Sequence, residues 1–258
     1  MALHDALRTM IDGRAGTWGV YARHLETGET VAVRADEVMP AQSSLKVSVL
    51  LTYTKRIRLG QDDPDRRVRL LDEDHELGSG VLRYLAPGLL PTLDDLAWLM
   101  VVLSDNIATR ALIRELGGPQ VIEAEMDALG VPHLRLRESP QDTEYKFIAT
   151  PRDLAEVYTH LDDHAREMLY RVEKGFLARR VPHWPEAIDW GLTAPVRVYG
   201  KAGWGLECVD AGLFETDECS WVVAAMGKDL PDLWHRLDDV GPRTLADIGE
   251  TIYGAWRP

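Results

Sequence analysis

The sequence predicts an α+β protein in which strands from both ends of the chain complete one antiparallel sheet, with a helical region inserted between them. Two observations predict it. Thr17 to Leu25 and Thr30 to Arg34 are rich in β-branched and aromatic residues, and Glu26-Thr27-Gly28-Glu29 between them suits a tight hairpin. Far down the chain, from Pro195 onward, the period returns to strand over Val196 to Tyr199, Glu207 to Glu215 and Ser220 to Met226. Most of the helical signals fall between these two stretches, with one short helix before the first and a closing helix after the second. The expected division of the single 1–258 domain is an α/β part, 1–37 with 195–258, and a helical part, 38–194.

A short helix opens the chain before the first hairpin. From Ser43 to Ile57 the pattern is apolar on nearly every side (Leu45, Val47, Val49, Leu50, Leu51, Tyr53), which describes a helix buried all round. Thr92 can cap a helix carrying Asp94 and Asp95 in its first turn, and another helix is expected from Ile107 to Leu116. Gly117-Gly118-Pro119 ends that helix and opens the next, Thr150-Pro151 begins one more, and a closing helix runs from about Leu245 to Trp256. There is no internal repeat and no low-complexity tract.

A chain of 258 residues with 45% hydrophobic content is ample for a packed core. Lys+Arg 29 against Asp+Glu 42 gives a formal charge of -13, so nucleic acid and anionic membranes are not expected as partners. No run approaches the roughly 20 apolar residues that span a bilayer. Met1 to Gly13 carries Asp5 and Asp12 where a signal peptide needs an apolar stretch, so the protein is expected to be cytoplasmic. Cys208 and Cys219 flank one hairpin with its turn at Thr216-Asp217-Glu218. That register places Cys219 near Phe214 and leaves Cys208 too far along the strand for a disulfide, so two reduced thiols are expected.

Three short stretches carry groups that acyl transfer needs. Ser43 and Lys46 in Ser43-Ser44-Leu45-Lys46 are three apart and share a helical face, whereas Ser44 points elsewhere, so Ser43 is the candidate nucleophile. Burial among apolar residues and nearby positive charge would lower the pKa of Lys46 enough for it to act as a base. The first turn of a helix also favours developing negative charge. By composition alone such a tetrad appears roughly once in a chain of this size, so it gains weight only with the other two. Ser104-Asp105-Asn106 follows the apolar run Leu96 to Leu103. Taken alone it reads equally as a capped turn. Facing Ser43, Ser104 would relay a proton and Asn106 would hold Lys46 or a substrate amide. Lys201-Ala202-Gly203 ends a strand, where Lys201 adds positive charge and Gly203 lets substrate approach the backbone. The Trp204 and Ser43 N–H groups would then form an oxyanion hole.

Other patterns carry less. His160 and His164 are four apart on an expected helix beside Asp162 and Asp163, a zinc-compatible spacing, but no third ligand follows and the tract is polar throughout; no metal or other cofactor is expected. Trp184, Trp190 and Trp204 can wall a pocket or complete a core. No Gly-x-Ser-x-Gly elbow or phosphate-binding glycine loop is present.

With these motifs in this order, the chain resembles the class A β-lactamases and related serine hydrolases of the penicillin-recognising superfamily. The likeness extends through Met39 to Lys46, Gly78-Ser79-Gly80-Val81-Leu82, Ser104-Asp105-Asn106, Gly117-Gly118-Pro119, Thr150-Pro151 and the strand ending at Lys201. It implies a five-stranded antiparallel sheet flanked by terminal helices, beside an all-helical subdomain. It also implies acylation of Ser43, with Lys46, Ser104, Asn106 and Lys201 in the roles given above. Two departures bear on substrate. The third motif of the family usually carries Thr or Ser after the lysine, whose hydroxyl binds the carboxylate of a β-lactam, and here Ala202 has none. The deacylating glutamate of the family stands four residues before an asparagine; Glu138 is the better positional match and Glu144 the second, and neither has that asparagine behind it. The expected substrate is an amide or ester of a small molecule or peptide, with β-lactams turned over poorly. The alternative is a binding protein of the same fold that has lost turnover.

Overall fold

The computed structural model describes residues 2–86, 88–138, 145–170, 175–183, 195–232 and 236–257. Helix α1 (Leu3–Asp12) precedes the hairpin of β1 (Thr17–His24) and β2 (Thr30–Val33). A two-residue strand β3 (Met39–Pro40) and a 3-10 turn (Gln42–Leu45) lead into α2 (Lys46–Arg58). Then come α3 (Leu93–Val102), α4 (Asn106–Glu115), α5 (Pro119–Ala128), β4 (Arg135–Glu138), β5 (Tyr145–Ala149), α6 (Pro151–Glu156) and α7 (Asp163–Tyr170). Strands β6 (Arg197–Trp204), β7 (Cys208–Glu215) and β8 (Ser220–Lys228) and helix α8 (Val240–Trp256) complete the chain.

The five-stranded sheet has the order β2-β1-β8-β7-β6, antiparallel throughout. The first hairpin therefore joins the last three strands through the β1–β8 pairing, with Thr17 opposite Lys228. Side chains alternate across the sheet and feed two cores. Trp18, Val20, Trp221, Val223 and Ala225 pack beneath α1 and α8, against Leu7, Ile11, Leu245, Ile248 and Ile252. Tyr21, Val209, Leu213, Val222, Ala224 and Met226 face the inserted helices. A strand buried on both faces has no polar side to alternate with, which is why β8 reads as a continuous apolar run.

Local chemistry sets the helix ends. The Thr92 hydroxyl accepts from the Asp95 N–H at 2.9 Å and the Asp95 carboxylate accepts from the Thr92 N–H at 2.8 Å, a reciprocal capping box that starts α3. The Thr150 hydroxyl accepts from the Asp153 N–H at the start of α6. Gly118, at φ +97°, turns the chain into Pro119 at the first position of α5. Helix α8 starts at Val240 rather than near Leu245 because Pro242 falls in its first turn, where a missing N–H removes no helical bond.

Two expectations are corrected. The inserted region, helical in bulk, also holds a three-stranded sheet of order β3-β5-β4, with Met39 opposite Ala149 and Arg135 opposite Ile148. Strands of two to five residues are too short to display a period. The helix expected to carry both His160 and His164 is broken: Val157–His160 is a 3-10 turn, Leu161 is extended, and α7 begins at Asp163. The two histidines therefore lie on different elements, and His164 Nε2 stands 3.2 Å from Asp94 Oδ1. Cys208 and Cys219 are both free, with Cys208 opposite Gly227 and Cys219 in the β7–β8 turn. Among the described residues, no helix is long and apolar enough to cross a membrane.

Candidate active site

Ser43 sits in the 3-10 turn that opens α2, and the Lys46 N–H donates to the Ser43 carbonyl. In a 3-10 turn residues three apart eclipse one another, so the turn itself puts Ser43 and Lys46 on one side. Ser43 is half-buried; Lys46, the first residue of α2, is 1% exposed. The Lys46 ammonium donates to the Ser104 carbonyl at 2.7 Å, the Ser104 hydroxyl at 3.1 Å and Asn106 Oδ1 at 2.9 Å. All three donors of the ammonium are thus used, none on Ser43. Burial first, and the Lys201 charge second, hold the Lys46 pKa well below the usual lysine range, against the opposing pull of Glu76 and Asp105.

The Ser-Asp-Asn break before α4 turns Ser104 and Asn106 to Lys46 and Asp105 away from it. Ser104 has φ +53°, the left-handed region that a residue with a Cβ adopts at a cost, and this turns both its carbonyl and its hydroxyl to Lys46. Buried Asp105 points away, accepting from the Val81, Leu82 and Ala108 N–H groups at 2.7, 2.9 and 3.0 Å. It caps α4 and pins the loop before it. Gly80 is required there: at φ +116°, its Cβ would fall 2.3 Å from the Asp105 carboxylate. Asn106 holds Lys46 with its oxygen and donates through Nδ2 to the Leu77 carbonyl at 2.9 Å. Of the two roles open to Asn106, the geometry favours gripping Lys46.

Strand β6 closes the other side. A Cβ on Gly203 would stand 2.5 Å from the Ser43 nitrogen and 2.7 Å from that of Ser44, so only glycine lets the strand lie this close to Ser43. Lys201, 5% exposed, donates through Nζ to the Ala202 carbonyl at 3.0 Å, and its N–H donates to the Tyr158 hydroxyl at 3.1 Å. Burial lowers the Lys201 pKa to about 8, opposed by the Asp210 carboxylate on β7. Trp204 is 45% exposed and its ring centroid lies 4.8 Å from that of Phe176.

The fold thus gathers Lys46, Ser104 and Asn106 into one hydrogen-bonded group and sets Gly203 against Ser43. Glu138 is the last residue of β4, its backbone opposite Tyr145. Glu144, Trp184 and Trp190 lie outside the described residues. Strand β5, which pairs with the strand ending at Glu138, adjoins the turn that carries Ser43, because the Ala41 N–H donates to the Phe147 carbonyl at 2.8 Å.

Sequence reasoning missed Asp210, whose pKa burial raises to about 7 and whose carboxylate accepts the Leu177 N–H at 2.8 Å. The signal was an acid in the middle of the apolar run Val209 to Phe214. It also missed Glu76, 3.6 Å from the Arg110 guanidinium, which resembles any loop glutamate in sequence. If charged Lys201 is the active form, activity falls as pH rises through about 8. The Asp210 carboxylate raises the Lys201 pKa, so Asp210→Asn should move that alkaline limb about one pH unit lower. A pH–rate profile checks this, and an unmoved limb would assign it to another group.

Comparison with known proteins agrees with this arrangement. Residues 2–256 match the family model described as "Beta-lactamase enzyme family". A carbapenem-hydrolysing β-lactamase, KPC, of Klebsiella oxytoca is 33% identical over 129 residues, 47% of this chain and 41% of its own. A β-lactamase of Streptomyces lavendulae is 29% identical over 168 residues, 60% of this chain and 54% of its own. The matched segments span about half the length of these relatives. Among solved structures, PBP-A superposes with a TM-score of 0.84 at 22% identity, covering 98% of this chain and 95% of that one. The β-lactamase of Sphaerobacter thermophilus superposes with a TM-score of 0.83 at 25% identity, covering 98% and 96%. With the family model matched over nearly its whole length, the chain belongs to the β-lactamase enzyme family.

Proposed function

We propose that the protein is a serine hydrolase that forms an acyl-enzyme at Ser43 and hydrolyses an amide or ester of a small molecule or peptide. The observation that carries this reading is the buried Lys46, gripped by Ser104 and Asn106 one 3-10 turn from Ser43. An ammonium is costly to bury, and a helix interior gains nothing from one; a lysine kept there with a depressed pKa is suited to move a proton.

In the proposed reaction the Ser43 hydroxyl attacks the carbonyl carbon and its proton passes to neutral Lys46. The oxyanion forms against the Ser43 and Trp204 N–H groups, which Gly203 allows to converge. The bond to the leaving nitrogen or oxygen then breaks, and that atom takes a proton through the Ser104 hydroxyl, already 3.1 Å from Lys46 Nζ. Lys201 contributes positive charge to the same side. Water attacks the ester carbonyl, a base accepts its proton, and Ser43 is restored.

β-Lactams are proposed as poor substrates. At Ala202 the site offers no hydroxyl to a substrate carboxylate, and the neighbouring Lys201 ammonium is engaged by the Ala202 carbonyl. One charge-assisted hydrogen bond is worth about 1.5–3 kcal/mol, roughly tenfold or more in affinity. Ala202→Thr should therefore raise kcat/KM for penicillins about tenfold while neutral esters change little. An equal gain for both would point to altered packing. The direct test of function is to assay the purified protein with nitrocefin and p-nitrophenyl esters while following adducts by intact mass. Absence of both turnover and adduct would favour a binding protein.

A further inference from the structure

The 3-10 turn that carries Ser43 and the hairpin that carries Trp204 are joined by one side-chain bond that the reaction outlined above does not use. Gln42, directly before Ser43, has φ +50°, a left-handed conformation held at a cost by a residue with a Cβ. Its Nε2 donates to Glu207 Oε2. Glu207 lies in the turn between β6 and β7, where its carbonyl accepts the Gly205 N–H at 3.1 Å. Two glycines make room for this contact. A Cβ on Gly205 would meet Gln42 Nε2 and Oε1 at 3.0 Å, and one on Gly203 would meet Gln42 Cβ at 2.8 Å as well as the Ser43 nitrogen at 2.5 Å. The Gln42 side chain therefore lies along the end of the hairpin while its backbone leads straight into the Ser43 amide.

We propose that Glu207 is a positioning residue, which through its bond to Gln42 holds the Ser43 N–H in register with the end of β6. The proposal rests on the reading of Ser43 as the acylated residue. The two donors assigned to the oxyanion, Ser43 N–H and Trp204 N–H, belong to two elements that the Gln42–Glu207 bond links, and donor placement within a few tenths of an ångström decides what such a site is worth. A carboxylate acceptor suits the task, since a charged partner makes the stronger and more directional bond. The bond also offsets the cost of the left-handed residue beside the nucleophile, which a hydrated Gln42 side chain would not.

The test compares Glu207→Ala, Glu207→Gln, Gln42→Glu and the double variant Gln42→Glu/Glu207→Gln. Two quantities are read: amide hydrogen exchange of the peptide spanning Ala41 to Lys46, and the acylation rate constant with a p-nitrophenyl ester or nitrocefin. Glu207→Ala should speed exchange and slow acylation, each about tenfold, with substrate affinity and Tm nearly unchanged. Glu207→Gln keeps an acceptor oxygen and should stay near wild type in both. Gln42→Glu sets two carboxylates against each other and should resemble Glu207→Ala; adding Glu207→Gln supplies a donor and should restore both quantities. Exchange that ignores Glu207→Ala, or a Glu207→Gln variant as impaired as Glu207→Ala, would overturn the proposal. The second result would mean that the charge acts on substrate. A wild-type protein that none of these reagents acylates overturns the hydrolase reading instead, and the exchange comparison then decides the clamp by itself.

Discussion

Ser43→Ala should abolish covalent labelling by a fluorophosphonate or penicillin and lower kcat/KM by roughly 10^4-fold or more, while Lys46→Ala keeps the nucleophile but loses about 100- to 10,000-fold in acylation. The argument for Ser43 over Ser44 is geometric. Ser44 is fully buried with its hydroxyl donating to the Ala41 carbonyl, whereas Ser43 is half-buried and its N–H faces Gly203. The argument for Lys46 is electrostatic. Burial and Lys201 both disfavour its charge, so removing it removes the group to which the proposed reaction gives the serine proton. Its loss also strips Ser104 and Asn106 of their shared partner, so circular dichroism and Tm should accompany the kinetics. Labelling that persists in Ser43→Ala and vanishes in Ser44→Ala would reverse the assignment. Unchanged acylation in a folded Lys46→Ala would mean that another base serves.

The second large effect concerns release of the acyl group. A base that activates the deacylating water contributes about 100- to 10,000-fold. Glu138, the positional match to that base, ends β4 opposite Tyr145 and has no companion asparagine behind it. A β-lactam that acylates Ser43 should accordingly give a pre-steady-state burst, then slow turnover, with the adduct persisting in the intact mass spectrum. Fast steady-state hydrolysis that collapses in Glu138→Gln would show the opposite, and would make Glu138 the base.

What could be read from the sequence follows from how locally each feature is encoded. The first hairpin was legible because Glu26 to Glu29 forms its turn within four residues, and α3 because Thr92 and Asp95 cap each other across three. Lys46, Ser104 and Asn106 were legible as chemistry because each lies in a short motif with a polar group in an apolar setting. Asp105 was read only as the middle of its motif, since two of its three N–H partners, Val81 and Leu82, lie in a distant loop that no spacing rule links to it. The β3-β5-β4 sheet escaped because Met39–Pro40 becomes a strand only by tertiary pairing. Gln42 and Glu207 were invisible for the same reason: no spacing rule links the residue before Ser43 to a hairpin tip far down the chain.

The β1–β8 pairing has a consequence for the order in which the molecule is made. A ribosome delivers Thr17 to His24 well before their partners Trp221 to Lys228, so the edge of β1 that β8 covers stays open while the residues between them are made. Closing so long a loop is slow, because its entropy is lost before the pairing can compensate. Ser43 emerges well before Gly203, so a chain that stops short of Gly203 lacks the oxyanion site proposed here. The acylation proposed at Ser43 would thereby be withheld from the nascent polypeptide until the sheet has closed around it.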